Sequence, residues 1–290
     1  MVNRLPGALV RAFLVVLLIA TPSLLLPTLT PDGKQVVTLL AIFGAAFTIF
    51  EYASTYPGLV EFRDAPPFNR IRFLCLFVTV FILTLICRGL SEPTRLTEFL
   101  TAIGGLIGFA VDFPYSPVRL VVNLLQGSAS PETIALVRIC AGMSYLVSLL
   151  SLAWFLIVLR LRNWPVANGS FNVWINMPTF DPTAGKDVVQ RLERDARVNI
   201  ALGFVLPFLT PAAVKAATVV FGDATLNNPQ TLIWTVTAWA FLPASLFMRG
   251  IAMGRVAQMI AAKRAQAYAN APMKDDDDEA DYDDHLPAHS

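Results

Sequence analysis

Long apolar segments separated by short polar ones dominate this chain of 290 residues. A helix needs about 20 apolar residues to cross roughly 30 Å of hydrocarbon. Six segments of that length carry almost no charge, and they predict six transmembrane helices. These lie at about 8–27, 35–53, 71–90, 134–160, 199–221 and 231–249. The pattern therefore predicts an all-α polytopic integral membrane protein, with one helical membrane domain over residues 1–270.

A seventh apolar stretch, between residues 96 and 127, does not fit this pattern. Its first run, 99–111, is short for a span, and it stops at Asp112-Phe113-Pro114 before a second run at 118–125. Broken helices at membrane depth are tolerated only where protein or water satisfies the freed backbone groups. The stretch predicts a re-entrant or interfacial pair of half-helices at about 98–126. The alternative is two complete but short spans, which would give eight in all.

Basic residues favour the half-helix pair, since loops rich in lysine and arginine stay on the cytoplasmic side. The N-terminal segment, the loop 51–72, the loop 160–197 and the helix after the last span carry two, three, six and four basic residues. All four can be cytoplasmic only if 96–127 begins and ends on the other side, where Arg88 and Arg95 are the exception. We therefore expect both termini to be cytoplasmic.

Two further helices are predicted outside the spans. One, at about 183–198, is amphipathic, with the ion pairs Asp187–Arg191 and Glu193–Arg197 on its polar face. Such a helix is expected to lie along the membrane surface.

The other predicted helix is basic, continues the last span over about 249–269, and is a candidate contact for anionic lipids. Its basic residues are Arg249, Arg255, Lys263 and Arg264. The tail 271–290 contains an acidic run and is expected to be disordered. It competes for the basic helix under one hypothesis and only keeps the chain soluble under the other.

Asp112 and Arg138 are the leading candidates for a polar site inside the membrane, with Asn123 as a hydrogen-bonding neighbour. An unpaired charge in hydrocarbon is costly, so we expect the two to pair. The pair is either a site for an ion, anion or proton, or an interfacial contact in which Arg138 reaches the headgroups. Lys215 lies close enough to a helix end for its side chain to reach the headgroups as well. Glu51, at a helix exit, is expected to be solvated.

The loops predicted to be cytoplasmic are rich in aromatic residues, among them Trp164, Trp174 and Phe180. These rings form either an aromatic belt at the headgroups or a docking face for another membrane protein. In the same loop, Asn168-Gly169 predicts a hairpin turn, 171–177 a short strand, and Asp181 the N-cap of the amphipathic helix.

Composition excludes several chemistries. Only 15% of the residues are charged and the net charge is +1, so there is no footprint for nucleic acid. The three cysteines show no CxxC spacing, and His285 and His289 lie in the tail, so no metal or cofactor site is predicted.

The remaining interpretation is a non-catalytic interaction, scaffold or accessory subunit that uses its aromatic and arginine-bearing loops. The alternative is a small-solute or ion transporter or channel with its site at 98–126. A lipid-modifying enzyme lacks a credible catalytic set. The 17 arginines against 5 lysines suit a GC-rich bacterial genome, and hence a bacterial inner membrane.

Overall fold

A computed structural model describes residues 4–27, 31–127, 129–165, 171–185, 187–221 and 228–270. Within these residues the chain forms helices and no strand. The helices are α1 (Leu5–Leu25), α2 (Pro31–Ala53), α3 (Phe68–Arg88), α4 (Arg95–Val111), α5 (Pro117–Leu124), α6 (Pro131–Leu161), α7 (Val173–Asn176), α8 (Val188–Phe221) and α9 (Pro229–Ala269). The predicted acidic tail 271–290 and the predicted turn at Asn168-Gly169 lie outside the described residues.

Six of these helices are long and apolar enough to cross a membrane: α1, α2, α3, α6, α8 and α9. The predicted all-α, multi-pass membrane architecture is thus confirmed. Helix α6 begins at Pro131, three residues before the predicted start, because the Ser130 hydroxyl caps it by accepting from the Thr133 N–H at 3.2 Å. The Asn228 side chain caps α9 in the same way.

The stretch between α3 and α6 forms the two short helices α4 and α5, broken at Asp112 as predicted. Thr94 caps α4 through a reciprocal arrangement with Thr97, in which each side chain accepts from the other residue's backbone N–H. After Val111 the chain turns, and the Ser116 hydroxyl starts α5 by accepting from the Arg119 N–H. Neither helix is among the six candidate spans.

Helix α4 packs on α6 and on the end of α3. A Cβ atom on Gly142 of α6 would lie 2.6 Å from the Gly108 Cα, so the two backbones touch there. A Cβ atom on Gly104 would meet Ile139 at 2.7 Å and Ile86 at 3.7 Å. Ile86 lies in the last turn of α3, so the half-helix pair leaves and returns at one end of the bundle.

The buried side chains form two cores, one at each end of the bundle. The half-helix end contains Leu18, Val80, Leu83, Val118, Val137, Cys140, Leu232 and Ile233. The loop end contains Phe62, Phe68, Phe155, Leu159, Met177, Leu192, Met248 and Val256. Helices α3, α6 and α9 each contribute one half to each core.

The predicted surface helix at 183–198 is not a separate element. It is the first part of α8, continuous with the span that follows it. Its apolar face is covered, since Leu192 and Ala196 are buried in the core of the loop end together with Val256 of α9. The prediction that this face lies on the membrane surface was therefore wrong, because α9 extends far enough to cover it.

Two local predictions in the same region were also wrong. The expected strand at 171–177 is the short helix α7, because the Asn172 side chain accepts from the Ile175 N–H and caps a helical turn. Asp181 does not cap α8. Its carboxylate accepts from Thr183 in a local turn, and α8 begins six residues later than Pro182.

The expected ion pairs along the polar face of α8 do not form either. Asp187 bonds to Arg264 at 2.6 Å instead of Arg191, which donates to the Ala184 carbonyl. Among the described ion pairs there is none between Glu193 and Arg197. Long-range partners replace the neighbours one turn away because α9 lies within reach of this face.

The fold predicts which positions face the same side of the membrane. Because native Cys75, Cys87 and Cys140 are buried, single cysteines introduced at exposed positions can be labelled selectively. We expect Leu90→Cys and Glu132→Cys to react with a membrane-impermeant maleimide from one side, and Tyr56→Cys from the other. Labelling of positions 90 and 132 from opposite sides would contradict the half-helix pair.

Candidate functional sites at the two ends of the bundle

Asp112, at the break between α4 and α5, is bound by two arginines. Its Oδ2 accepts from the Arg138 Nε at 2.7 Å, as the sequence predicts. Its Oδ1 lies 2.5 Å from the Arg119 Nε, a contact of charges without hydrogen-bond alignment. The Asp112 side chain is 4% exposed, whereas both arginine side chains are more than one third exposed. A buried carboxylate is thereby neutralised by guanidinium groups that still reach the surface.

Arg119 was missed by the sequence reasoning, and Asn123 was named in its place. Asn123 lies one turn further along α5, and within the described residues it makes no hydrogen bond to Asp112. Arg119 also donates to the Asp112 carbonyl at 2.7 Å, which satisfies a backbone group freed by the break. The signal was present in the sequence, because Ser116 and Pro117 start a helix that brings Arg119 back over the break.

At the loop end, the Glu51 carboxylate organises the chain that leaves α2. It accepts from three consecutive backbone N–H groups, those of Gly58, Leu59 and Val60, at 2.9–3.1 Å. Glu51 is 2% exposed. The prediction that Glu51 is simply solvated was wrong. The loop folds back over the helix end and supplies backbone N–H donors, which no residue type in the sequence indicates.

Arg63 fixes the same loop from the other side. Its guanidinium donates to the carbonyls of Glu51, Ser54 and Thr55 at 2.8–3.3 Å. The Glu51 carbonyl lies in the last turn of α2, where carbonyls have no helical partner, and Ser54 and Thr55 follow the helix directly. The loop 54–67 is therefore a folded element whose backbone is bonded at both its donors and its acceptors.

A second ion pair joins this loop to the last helix. Arg249 of α9 donates to both oxygens of Glu61, at 2.5 and 2.7 Å, and to the Asn199 side chain of α8 at 2.9 Å. The Thr179 hydroxyl donates to Glu61 at 2.6 Å. Burial alone would raise the pKa of Glu61, but the hydrogen bonds from Arg249 and Thr179 outweigh it and lower that pKa below its usual value.

Aromatic rings fill the space beneath the loop 54–67 and a second loop, residues 171–185. The Phe62 ring lies 4.5 Å from Phe68 and 5.8 Å from Trp164, measured between centroids. Trp164 and Phe180, proposed as partner contacts, are 5% and 6% exposed. They pack within their own chain, so they form neither a belt nor a docking face, and only Trp174 of the three, 55% exposed, keeps a ring at the surface.

The four basic residues of the predicted lipid-binding helix divide into two pairs. Arg249 forms an ion pair with Glu61, and Arg264 forms one with Asp187. Among the described contacts, Arg255 and Lys263 have no such acidic partner. The helix thus uses half of its charge to hold the loops, and the other half remains open to a ligand.

Comparison of the chain with protein-family models, curated proteins and solved structures finds no match. Among the described residues there is also no group of three or more His, Cys, Asp or Glu side chains that could hold a metal ion.

Removing the charge of Asp112 should destabilise the half-helix end. Asp112→Asn leaves Arg119 and Arg138 facing each other, and we expect a loss of about 1–3 kcal/mol. This is less than for a fully buried pair because both arginines are partly solvated. Unfolding of the purified protein in detergent measures it, and a cycle with Arg138→Gln should show coupling between the two sites.

Arg88→Gln is the matched control for that measurement. Arg88 pairs with Glu92 at the same end, but both side chains are more than one third exposed. We expect it to change stability by about 0.5 kcal/mol or less. An Asp112→Asn variant as stable as the wild type would contradict the assigned role.

The Glu61–Arg249 pair predicts a pH dependence of stability. Because folding lowers the pKa of Glu61, its contribution is complete above the usual glutamate pKa of about 4.3. It is lost as the pH falls through the lower folded value. Glu61→Gln should therefore destabilise the protein at pH 7 and reduce the loss of stability on acidification. Thermal unfolding in detergent between pH 7 and 3 measures both, and parallel curves for the two proteins would contradict the pairing.

Proposed function

We propose that this protein is a non-catalytic interaction subunit of the bacterial inner membrane, which holds another membrane protein at its loop end. In this proposal both termini and the loop end are cytoplasmic, as the distribution of basic residues favours. The contact area is the loop surface, defined here by the exposed side chains of Tyr56, Leu59 and Trp174.

The observation that carries the proposal is the construction of the two loops. The Phe62 N–H donates to the Asn176 carbonyl at 2.6 Å, and the Asp64 N–H donates to the Asn176 side chain at 3.0 Å. Asn176 is itself only 4% exposed. Loops that merely connect spans do not require a core and buried polar bonds of their own, whereas a binding surface gains affinity from being rigid before the partner arrives.

Exposed aromatic and aliphatic side chains on this rigid body form the contact surface. Tyr56 is 71% exposed, Leu59 66% and Trp174 55%. They lie on the two segments that the Asn176 bonds tie together. Tryptophan and tyrosine are enriched among residues that dominate binding energy in protein interfaces.

Transport is the second candidate, and the Asp112 site is the observation that favours it. Two guanidinium groups around one carboxylate leave a net positive charge beside a helix break, a place where transporters bind anions. Against it, Val118 and Val137 are fully buried beside this break, so the surrounding core is filled.

Tagged full-length protein, purified from native membranes in mild detergent, tests the first candidate. A membrane protein should co-purify in near-stoichiometric amount with the wild type, and at least tenfold less with the Tyr56→Ala, Trp174→Ala double variant. Truncation of an aromatic residue that dominates an interface costs about 2 kcal/mol or more. Quantitative mass spectrometry measures the ratio.

The matched control is Leu106→Ala with Phe109→Ala, which removes two equally exposed apolar side chains from α4 at the other end. Equal recovery of every protein with all three forms would contradict the loop surface. Anion flux into reconstituted vesicles that is abolished by Asp112→Asn would favour transport instead.

A further inference from the structure

A groove of about 470 Å³ lies between α8 and α9 at the loop end, apart from the loop surface and from the Asp112 site. Its floor is lined by small residues. A Cβ atom on Gly250 would lie 2.7 Å from the Ala196 carbonyl, so the helices touch there. One turn further, a Cβ atom on Gly254 would meet only the Ala196 methyl, at 3.8 Å. The helices thus leave a gap beside Gly254, and the groove lies along that gap.

The side chains that line this groove change from apolar to polar along its length. Ile200 and Ile251 line its inner part, Arg197 and Arg255 come one turn further out, and Glu193 and Gln258 follow. From Ile251 to Gln258 the rise along the helix is about 10 Å. The lining is therefore apolar, then basic, then mixed polar. This change lies where the sequences of α8 and α9 change from apolar to polar.

Among the described residues, the two arginines in the groove have no ion-pair partner. The ion pairs of this end engage Arg194, Arg249 and Arg264, and in the part of the chain that is described none engages Arg197 or Arg255. Glu193, one turn from Arg197, also lines the groove but does not pair with it. The lining therefore carries a net charge of +1, with two guanidinium groups free to meet one anion.

We propose that this groove binds the phosphate headgroup of an anionic phospholipid. The phosphate lies between Arg197 and Arg255, since guanidinium groups bind phosphate through paired N–H donors. One acyl chain follows Ile200 and Ile251 toward the bilayer centre, and the polar part of the headgroup reaches Gln258. The order of groups along the groove matches that of a phospholipid, and a free phosphate compound would leave the apolar part uncovered.

Titration of the full-length protein in detergent with phosphatidylglycerol, phosphatidylcholine and inorganic phosphate tests the proposal. Native mass spectrometry counts the bound lipids and gives an apparent Kd for the first one. We expect the wild type to prefer phosphatidylglycerol. Arg197→Gln and Arg255→Gln should each weaken its binding about fivefold, the effect of one basic residue at an anionic surface.

Three further variants separate this site from general attraction by positive charge. Arg194→Gln removes the same charge from the same helix, but Arg194 already pairs with Asp195 outside the groove, so binding should not change. Gly254→Leu fills the groove without changing charge and should abolish tight binding. Glu193→Gln removes the opposing carboxylate and should tighten binding about twofold to fivefold, a gain that misfolding cannot imitate.

Wild-type affinity in the Arg197→Gln, Arg255→Gln double variant would overturn the site. An equal loss in Arg194→Gln would show that only overall charge matters, which also overturns it. Inorganic phosphate that binds as tightly as phosphatidylglycerol would assign the groove to a soluble phosphate compound and overturn the lipid.

Discussion

The neutralised break at Asp112 is the constraint on which the rest of the architecture depends. A chain that ends a helix near membrane depth must satisfy both a carboxylate and freed backbone groups. Arg119 of α5 and Arg138 of α6 neutralise the carboxylate, and Arg119 also donates to the Asp112 carbonyl. Because the chain can stop there, α4 and α5 return to their own end of the bundle. Every later span then keeps the direction that places the two large loops together.

The same division into two ends explains how the charges are used. At the half-helix end, arginine compensates a charge that the break makes unavoidable. At the loop end, Arg63 bonds to the carbonyls of Glu51, Ser54 and Thr55 and fixes the loop 54–67 on the end of α2. Arg249 bonds to Glu61 and Asn199 and holds the same loop against α8 and α9. Buried ion pairs often add little net stability, but they specify one arrangement of the groups they join. Here that arrangement is a rigid body built on the ends of the spans.

The spans and the broken pair could be predicted from the sequence because both depend on local runs of apolar residues and on breaks in them. The Asp112–Arg138 pair followed from the cost of isolated charge in hydrocarbon. What could not be predicted depends on segments distant in the sequence. Glu51 is buried because residues 58–60 fold over it, and Trp164 is buried because Phe62 reaches it. Neither contact leaves a periodic signal, so the linear pattern predicted a solvated Glu51 and placed Trp164 in an aromatic belt or a docking face.

Helix length connects the membrane part to the loop body. Helix α9 has 41 residues and is about 60 Å long, roughly twice the hydrocarbon thickness. Its outer half carries Arg249 and Arg264, which hold the loops, on the same rigid rod as Arg255, which lines the open groove. A ligand that draws α8 and α9 together at this groove acts on the helices that support the loop body. The proposed lipid groove and the proposed protein-binding surface at Trp174 would thus rest on one continuous scaffold, built from α8, α9 and the loop body.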